Sequence, residues 1–286
     1  KGYIDRNVNM LDSIPFLPQN DQRLLNLAVS CNSPLDKSLE STYVDPFCLV
    51  NSDKPQVLVV GDSHALSFSY SAAIRNSLNI ALITLSSQPP YRSYVAYVKS
   101  PNNKEERTKY LKLLNMYLDA MLESYSSIEY VVLISRGPAY FSSEGFGIET
   151  KTFNFGDVML ESIDNNQSSF SKKEAFLKGY IETIKFLLSK GKKVIFAIDF
   201  PELGEDPLLC IKRSFSLTGS KSKCILERYI VDVRQKEYRE LVKQLKQQIP
   251  ELLLYDPTSA FCDHDKCYGK KNNIIYGDSH HLNIEG

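Results

Sequence analysis

The sequence predicts an α/β fold: a three-layer, flavodoxin-like parallel sheet of about five strands with helices on both faces. Three observations carry that expectation. Short apolar runs rich in β-branched residues recur along the 286-residue chain, as buried strands do. Longer stretches with helical spacing of their apolar residues lie between them. Such alternation of strand and helix builds right-handed crossovers and a parallel sheet covered on both sides. Finally, 43% hydrophobic and 24% charged residues are the proportions of a globular protein.

In order along the chain, residues 1–55 hold Pro15, Pro18, Pro34, Pro46 and Pro55, and read as a linker and N-terminal wrap with a short helix over 21–29. The α/β domain proper is expected over 56–286. Its strands are expected over 57–60, 80–85, 130–135, 194–200 and 252–255. Helical patterns cover 65–77, 105–124, 172–189 and 227–248. In the second, Leu111, Leu114, Leu118, Met121 and Leu122 share a face. Phe176, Tyr180, Ile184 and Leu187 or Leu188 do so in the third, and Ile230, Val233, Leu241, Val242 and Leu245 in the fourth. Gly191 is placed to cap the third helix. Residues 137–170 and 201–225 read as loop-rich insertions.

Lys plus Arg (34) balances Asp plus Glu (34), which argues against nucleic acid as a partner. No apolar run approaches the roughly 18 residues that span a bilayer. The polar opening at Lys1, without Met, reads as the start of a piece excised from a longer protein, its anchor elsewhere. Six cysteines fall as close pairs, Cys31 with Cys48, Cys210 with Cys224 and Cys262 with Cys267. Three loop-closing disulfides in an oxidising compartment suit that pattern; buried free thiols are the alternative. The Cys262–Cys267 stretch, with His264 inside it, has no second ligand pair, so no metal site is expected.

The segment VLVVGDSHAL (57–66) carries the candidate chemistry. Ser63 follows the first core strand, at the carboxyl edge where ligands bind in open parallel sheets. The helix behind it turns its free N–H groups and positive dipole end to the same place. A serine hydroxyl attacks only when a positioned base takes its proton, and a carboxylate commonly orients that base. The four histidines are His64, His264, His280 and His281. Two of them sit in YGDSHHLNIEG (276–286) behind Asp278, and the three-residue spacing from Asp278 to His281 lets a short turn fold the carboxylate back onto the ring.

With Gly61-Asp62-Ser63 after the first strand and Asp278-x-x-His281 near the C-terminus, the chain resembles the SGNH hydrolase superfamily over residues 56–286. More narrowly, it is similar to the periplasmic SGNH domains fused to multi-span membrane acyltransferases that O-acetylate bacterial surface polysaccharides. His64-Ala65 after the serine, Arg136 and Tyr140 in VVLISRGPAY, the Cys-bounded loop in DPTSAFCDHDKC, and Tyr276 match that subgroup. The resemblance implies Ser63 as nucleophile, His281 as base and Asp278 as its orienting acid. It implies transfer of an acetyl group to a sugar hydroxyl of a surface glycan, such as O-antigen, through an acyl-serine. It also implies no cofactor beyond an acyl donor, derived from acetyl-CoA and delivered by the fused membrane domain, at the periplasmic face. Water as acceptor would make the same triad a carbohydrate esterase, and a non-catalytic glycan-binding module is the competing class.

The family's block-two glycine and its Gly-x-Asn-Asp are missing; the middle strand ends in Ser135-Arg136-Gly137. Ser63 N–H and Arg136 are the candidate oxyanion donors, with Tyr140 and Gln88 as substrate candidates and the 88–91 loop lining the site. Plainer roles stand beside these. Ser63 is a reasonable helix N-cap, His280 an alternative base, His64 a packing or capping residue and Arg136 an ion-pair partner. Asp199 and Glu202 form either a second acid pair or solvated loop acids. Tyr91, Tyr94, Tyr97 and Tyr140 belong either to the core or to a carbohydrate-facing rim.

Overall fold

The computed structural model describes residues 46–74, 78–99, 102–142, 144–151, 158–163, 170–210 and 224–286. The helix expected over 21–29 and Cys31, with its pairing to Cys48, lie outside them. Five parallel strands form the sheet: β2 (Val57–Gly61), β3 (Ile80–Thr84), β5 (Tyr130–Ile134), β7 (Lys193–Ala197) and β9 (Leu253–Tyr255). A further strand, β1 (Phe47–Val50), runs antiparallel along β3, so the order is β1-β3-β2-β5-β7-β9. Without β1, that is the flavodoxin-like order, with β2 at the switch point between β3 and β5. Ser63 therefore follows the strand beside the topological crevice.

Because strand side chains alternate between faces, two cores result. Leu58, Val60, Ala81, Ile83, Val131, Leu133, Val194 and Phe196 pack on one face. There they meet α2 (Asn103–Ser124), α4 (Lys172–Ser189) and α5 (Arg228–Gln248). Val59, Leu82, Val132, Ile134 and Ala197 face the other way, against α1 (Ser63–Ile74) and the C-terminal segment that carries Phe261, Tyr276, Leu282 and Ile284. A short α3 (Ala139–Ser142) follows β5, and α6 (Thr258–Phe261) follows β9. No described helix is long and apolar enough to cross a membrane.

Local chemistry explains the long helices. Ser171 and Glu174 make a reciprocal capping box at the start of α4, satisfying two first-turn donors. At its end Gly191 adopts φ +72, while Gly191 N–H donates to Leu188 O and Lys192 N–H to Leu187 O, a Schellman closure. The α2 stripe Leu111, Leu114, Leu118 and Met121 is buried as expected. On α5 the phase differs. Val233 is 71% exposed, and the buried stripe is Val231, Gln235, Tyr238, Leu241, Val242 and Leu245. Two polar residues join it because their ends have partners: Gln235 Nε2 donates to Asp199 O, and Tyr238 Oη accepts from Asp199 N–H.

The strand expected over 252–255 forms as β9, but it is not buried as expected. Leu252 is fully buried, but Leu253, Leu254 and Tyr255 stay 43–48% exposed, since β9 is the edge of the sheet and pairs only with β7. Two small antiparallel pairs lie outside the main sheet. β4 (Tyr94–Val98) pairs with β6 (Val158–Ser162), which lies inside the first insertion. β8 (Ile225–Glu227) pairs with β10 (Lys266–Tyr268). Disulfides Cys210–Cys224 and Cys262–Cys267 pin the loops flanking the second pair.

Candidate active site

Gly61 ends β2 where its neighbour leaves no room: a Cβ there would meet Ile134 O at 1.7 Å and Ala65 Cβ at 2.8 Å. Only glycine lets β2 turn into α1 so close to β5. Asp62, not Ser63, is the helix cap. Its carbonyl accepts from Ala65 and Leu66 N–H, and its Oδ1 accepts from His64 N–H at 2.8 Å, as an N-cap carboxylate does. The other oxygen, Oδ2, accepts from Arg136 N–H at 2.9 Å and Tyr140 Oη–H at 2.5 Å. With capping done by Asp62, the Ser63 hydroxyl at the first helical position is left for other work.

That hydroxyl lies 2.8 Å from His281 Nε2. His281 Nδ1 in turn lies 2.7 Å from Asp278 Oδ2. The turn 278–281 is tightened by Asp278 Oδ1, which accepts from the N–H groups of His280 and His281 at 2.9 and 2.7 Å. Burial alone would raise the Asp278 carboxyl, but hydrogen bonds and the two imidazoles hold it well below the usual carboxylate range. Tyr276 Oη–H donates to Pro201 O, and Gly204 N–H donates to Ser279 O at 2.7 Å. The turn carrying His281 is thus moulded onto the loop after β7. Sequence reasoning placed Ser63, His281 and Asp278 together, and the fold brings these three side chains into one hydrogen-bonded line.

His280, beside His281, is tied to a different carboxylate. Its Nδ1 lies 3.1 Å from Glu149 Oε1, and burial pushes its imidazole down to about 4. His64 is fully buried, with Nδ1 2.7 Å from Asp199 Oδ1 and its ring stacked on Phe200 at 4.8 Å. Burial lowers His64 to about 3, while burial and the nearby Glu202 push Asp199 well up. Burial thus works against the charged form of both groups.

Several candidates have structural duties. The Arg136 guanidinium is held by two carboxylates: Nε donates to Glu202 Oε1 at 2.7 Å, Nη1 to Glu149 Oε1 at 3.2 Å, and Nη2 to both residues. Arg234 Nε closes the far side of Glu202 at 2.6 Å. Arg136 lines the cavity, but its charge is spent on this network, which weakens it as an oxyanion donor. Gln88 is corrected from substrate candidate to brace. Its Nε2 donates to Pro89 O and Tyr94 O, and its Oε1 accepts from Ala96 N–H, so its amide is consumed in holding the start of β4. Tyr91 and Tyr94 are core residues, at 0% and 1% exposure, whereas Tyr97 and Tyr140 line the cavity. Asp199 and Glu202 are buried and paired rather than solvated, with no second acid site between them.

The cavity has a volume of about 350 Å³ and opens over Ser63 and His281, within the usual range of small-molecule sites. Its walls include Ser87, Ala96, Tyr97, Val98, Asn103, Arg107, Ala139, Tyr140 and Val158. Ser87, Arg107 and Asn103 went unread in the sequence because they belong to no motif. Ser87 sits after β3 in the left-handed region, φ 54, which costs a non-glycine residue on the order of 1 kcal/mol. Arg107 is oriented by donating from Nη2 to Ser86 O at 2.5 Å and from Nε to Ala96 O at 3.3 Å.

Comparison with solved structures gives distant likenesses. The periplasmic domain of a lipopolysaccharide acetyltransferase from Salmonella ser. Paratyphi A is 14% identical, with 82% of this chain and 80% of that chain covered and a TM-score of 0.48. A putative platelet activating factor from Streptococcus pneumonia is 10% identical, covering 99% and 93%, with a TM-score of 0.44. The acetyl xylan esterase AlAXEase is 12% identical, covering 80% and 93%, with a TM-score of 0.38. Comparison with curated proteins gives no match. The family model for SGNH domains fused to AT3 domains matches residues 30–286. With that match spanning most of its length, the chain belongs to the family of SGNH domains fused to AT3 domains.

Proposed function

We propose that this domain is an O-acetyltransferase that moves an acetyl group onto a sugar hydroxyl of a surface glycan, O-antigen or similar, through an acyl-serine on Ser63. The observation that carries the reading is the hydrogen-bonded line Ser63 Oγ, His281 Nε2, His281 Nδ1, Asp278 Oδ2. With Nδ1–H donated to Asp278, the lone pair of His281 sits on Nε2, facing the serine. His281 takes the Ser63 proton as Oγ bonds to the acyl carbon of the donor. Collapse of the tetrahedral intermediate expels the donor's leaving group, which receives that proton from His281. The acceptor hydroxyl then loses its proton to His281 and attacks the acyl-serine. Ser63 leaves and recovers the proton.

Developing negative charge on the acyl oxygen meets the N-terminal turn of α1. The Ser63 N–H at its first position lacks an intrahelical acceptor, and the helix dipole favours an anion there. The fusion to AT3 domains in the family description supports a membrane acyltransferase partner that supplies the acyl group. Together with the disulfides it supports a periplasmic setting.

The test is incubation of the domain with an acetyl donor ester and a de-O-acetylated surface polysaccharide. Acetylated glycan that depends on Ser63 is expected. Free acetate alone would turn the reading to a carbohydrate esterase, and glycan binding without turnover would turn it to a binding module.

A further inference from the structure

Three imidazoles gather behind Ser63, and only His281 has a part in the proposed chemistry. His64 is fully buried; its Nδ1 lies 2.7 Å from Asp199 Oδ1, and its Nε2 has no hydrogen-bond partner among the described residues. His280 Nδ1 lies 3.1 Å from Glu149 Oε1, and His281 Nδ1 lies 2.7 Å from Asp278 Oδ2. Each ring is anchored through Nδ1 by a carboxylate, which leaves Nε2 as the ligating nitrogen. That is the arrangement which orients imidazole ligands around metal ions. One ligand atom from each of the three lies within 4.8 Å of the others. The ring centroids are 5.5 Å (His64–His280), 5.1 Å (His64–His281) and 4.0 Å (His280–His281) apart. Three imidazoles bound tetrahedrally to zinc through bonds of about 2.0–2.1 Å hold their centroids roughly 5 Å apart, which these three spacings match to within about an ångström.

We infer that His64, His280 and His281 form a binding site for a divalent transition metal, Zn²⁺ foremost, which switches the domain off by drawing His281 Nε2 away from Ser63. The inhibition rests on the proposed function; the binding does not. Imidazole nitrogens select zinc, copper or nickel, whereas magnesium and calcium want oxygen ligands. Three protein ligands leave one position open to water. His280 and His281 line the cavity, which gives the ion its way in, and His64 is buried beside them. Buried polar atoms are as a rule satisfied, and a ligand role accounts for the lone Nε2 of His64, which packing alone does not.

Cobalt(II) chloride is the probe, because tetrahedral Co²⁺ absorbs strongly in the visible and substitutes for zinc. Titrated into chelator-free protein of residues 1–286, one equivalent should develop the band, and zinc chloride should bleach it. Apparent affinity should fall at least tenfold in His280→Gln, a partly exposed loop position, and in His64→Gln. Ser63→Ala should bind as wild type does, so the result stands whether or not Ser63 is a nucleophile. Absence of stoichiometric uptake by wild type overturns the site. Uptake unchanged in both histidine variants overturns it too, by placing the ion elsewhere. Zinc bound at this site without slowing acyl transfer overturns the inhibitory role.

Discussion

Asp62 and Ser63 divide two tasks that one serine would otherwise have to share. The carboxylate takes the capping donors, and the hydroxyl turns to His281. A similar division holds between Arg136 and Glu202. Buried Glu202 is drawn down to about 2: desolvation opposes its charge, but Arg136 and Arg234 outweigh it. Removing this carboxylate leaves two guanidinium groups short of a partner in the interior. Glu202→Gln should therefore cost about 3–5 kcal/mol, read from urea unfolding at neutral pH. The pH dependence follows from the same pairing. A carboxyl with a depressed folded pKa contributes stability that is complete above its unfolded value of 4.5 and is lost as pH falls towards 2. Wild type should lose stability steeply across that window, and the variant less steeply. Equal slopes in the two proteins would contradict this assignment.

At the scale of elements, glycines report how closely the pieces of the site are fitted. Gly61→Ala puts a methyl 1.7 Å from Ile134 O and cannot be absorbed without parting β2 from β5. It should abolish folding or shift Ser63 out of reach of His281. Gly191→Ala meets nothing within 4 Å, although its φ is +72, so it should cost only about 1 kcal/mol. Thermal unfolding of the pair checks this; a mild effect at Gly61 would refute the close-packing argument.

Four of the five parallel strands were legible as buried apolar runs because both faces of the sheet are covered there, whereas β9 is apolar but lies exposed at the edge. β1 was not legible, since Phe47–Val50 lies among prolines and earns its place only by pairing with β3. Nor was β6, which depends on β4 for its partner. On α5, aliphatic counting favoured Val233 over Gln235 and Tyr238 because it does not register that Asp199 satisfies their polar ends.

Across the whole molecule, residues 218 positions apart meet at the sheet mouth, and that long reach explains what the sequence did and did not disclose. Gly61-Asp62-Ser63 and Asp278-x-x-His281 were legible because each is a compact local pattern. The buried network of Arg136, Glu149, Glu202 and Arg234 was not, because its members come from four separate segments. Most of the cavity wall was hidden for the same reason. It is assembled from the β3–β4 loop, β4, the start of α2 and the insertion after β5. The disulfides Cys210–Cys224 and Cys262–Cys267 brace the side of the domain that carries the 276–281 turn. The central claim, that Ser63 is a nucleophile activated by His281 and Asp278, is tested most directly by fluorophosphonate labelling followed by peptide mapping. One label per chain on Ser63 is predicted, absent in Ser63→Ala and slowed by about 10³-fold or more in His281→Ala and Asp278→Asn. A folded wild-type domain that takes no label, or takes it equally well without His281, would contradict the account.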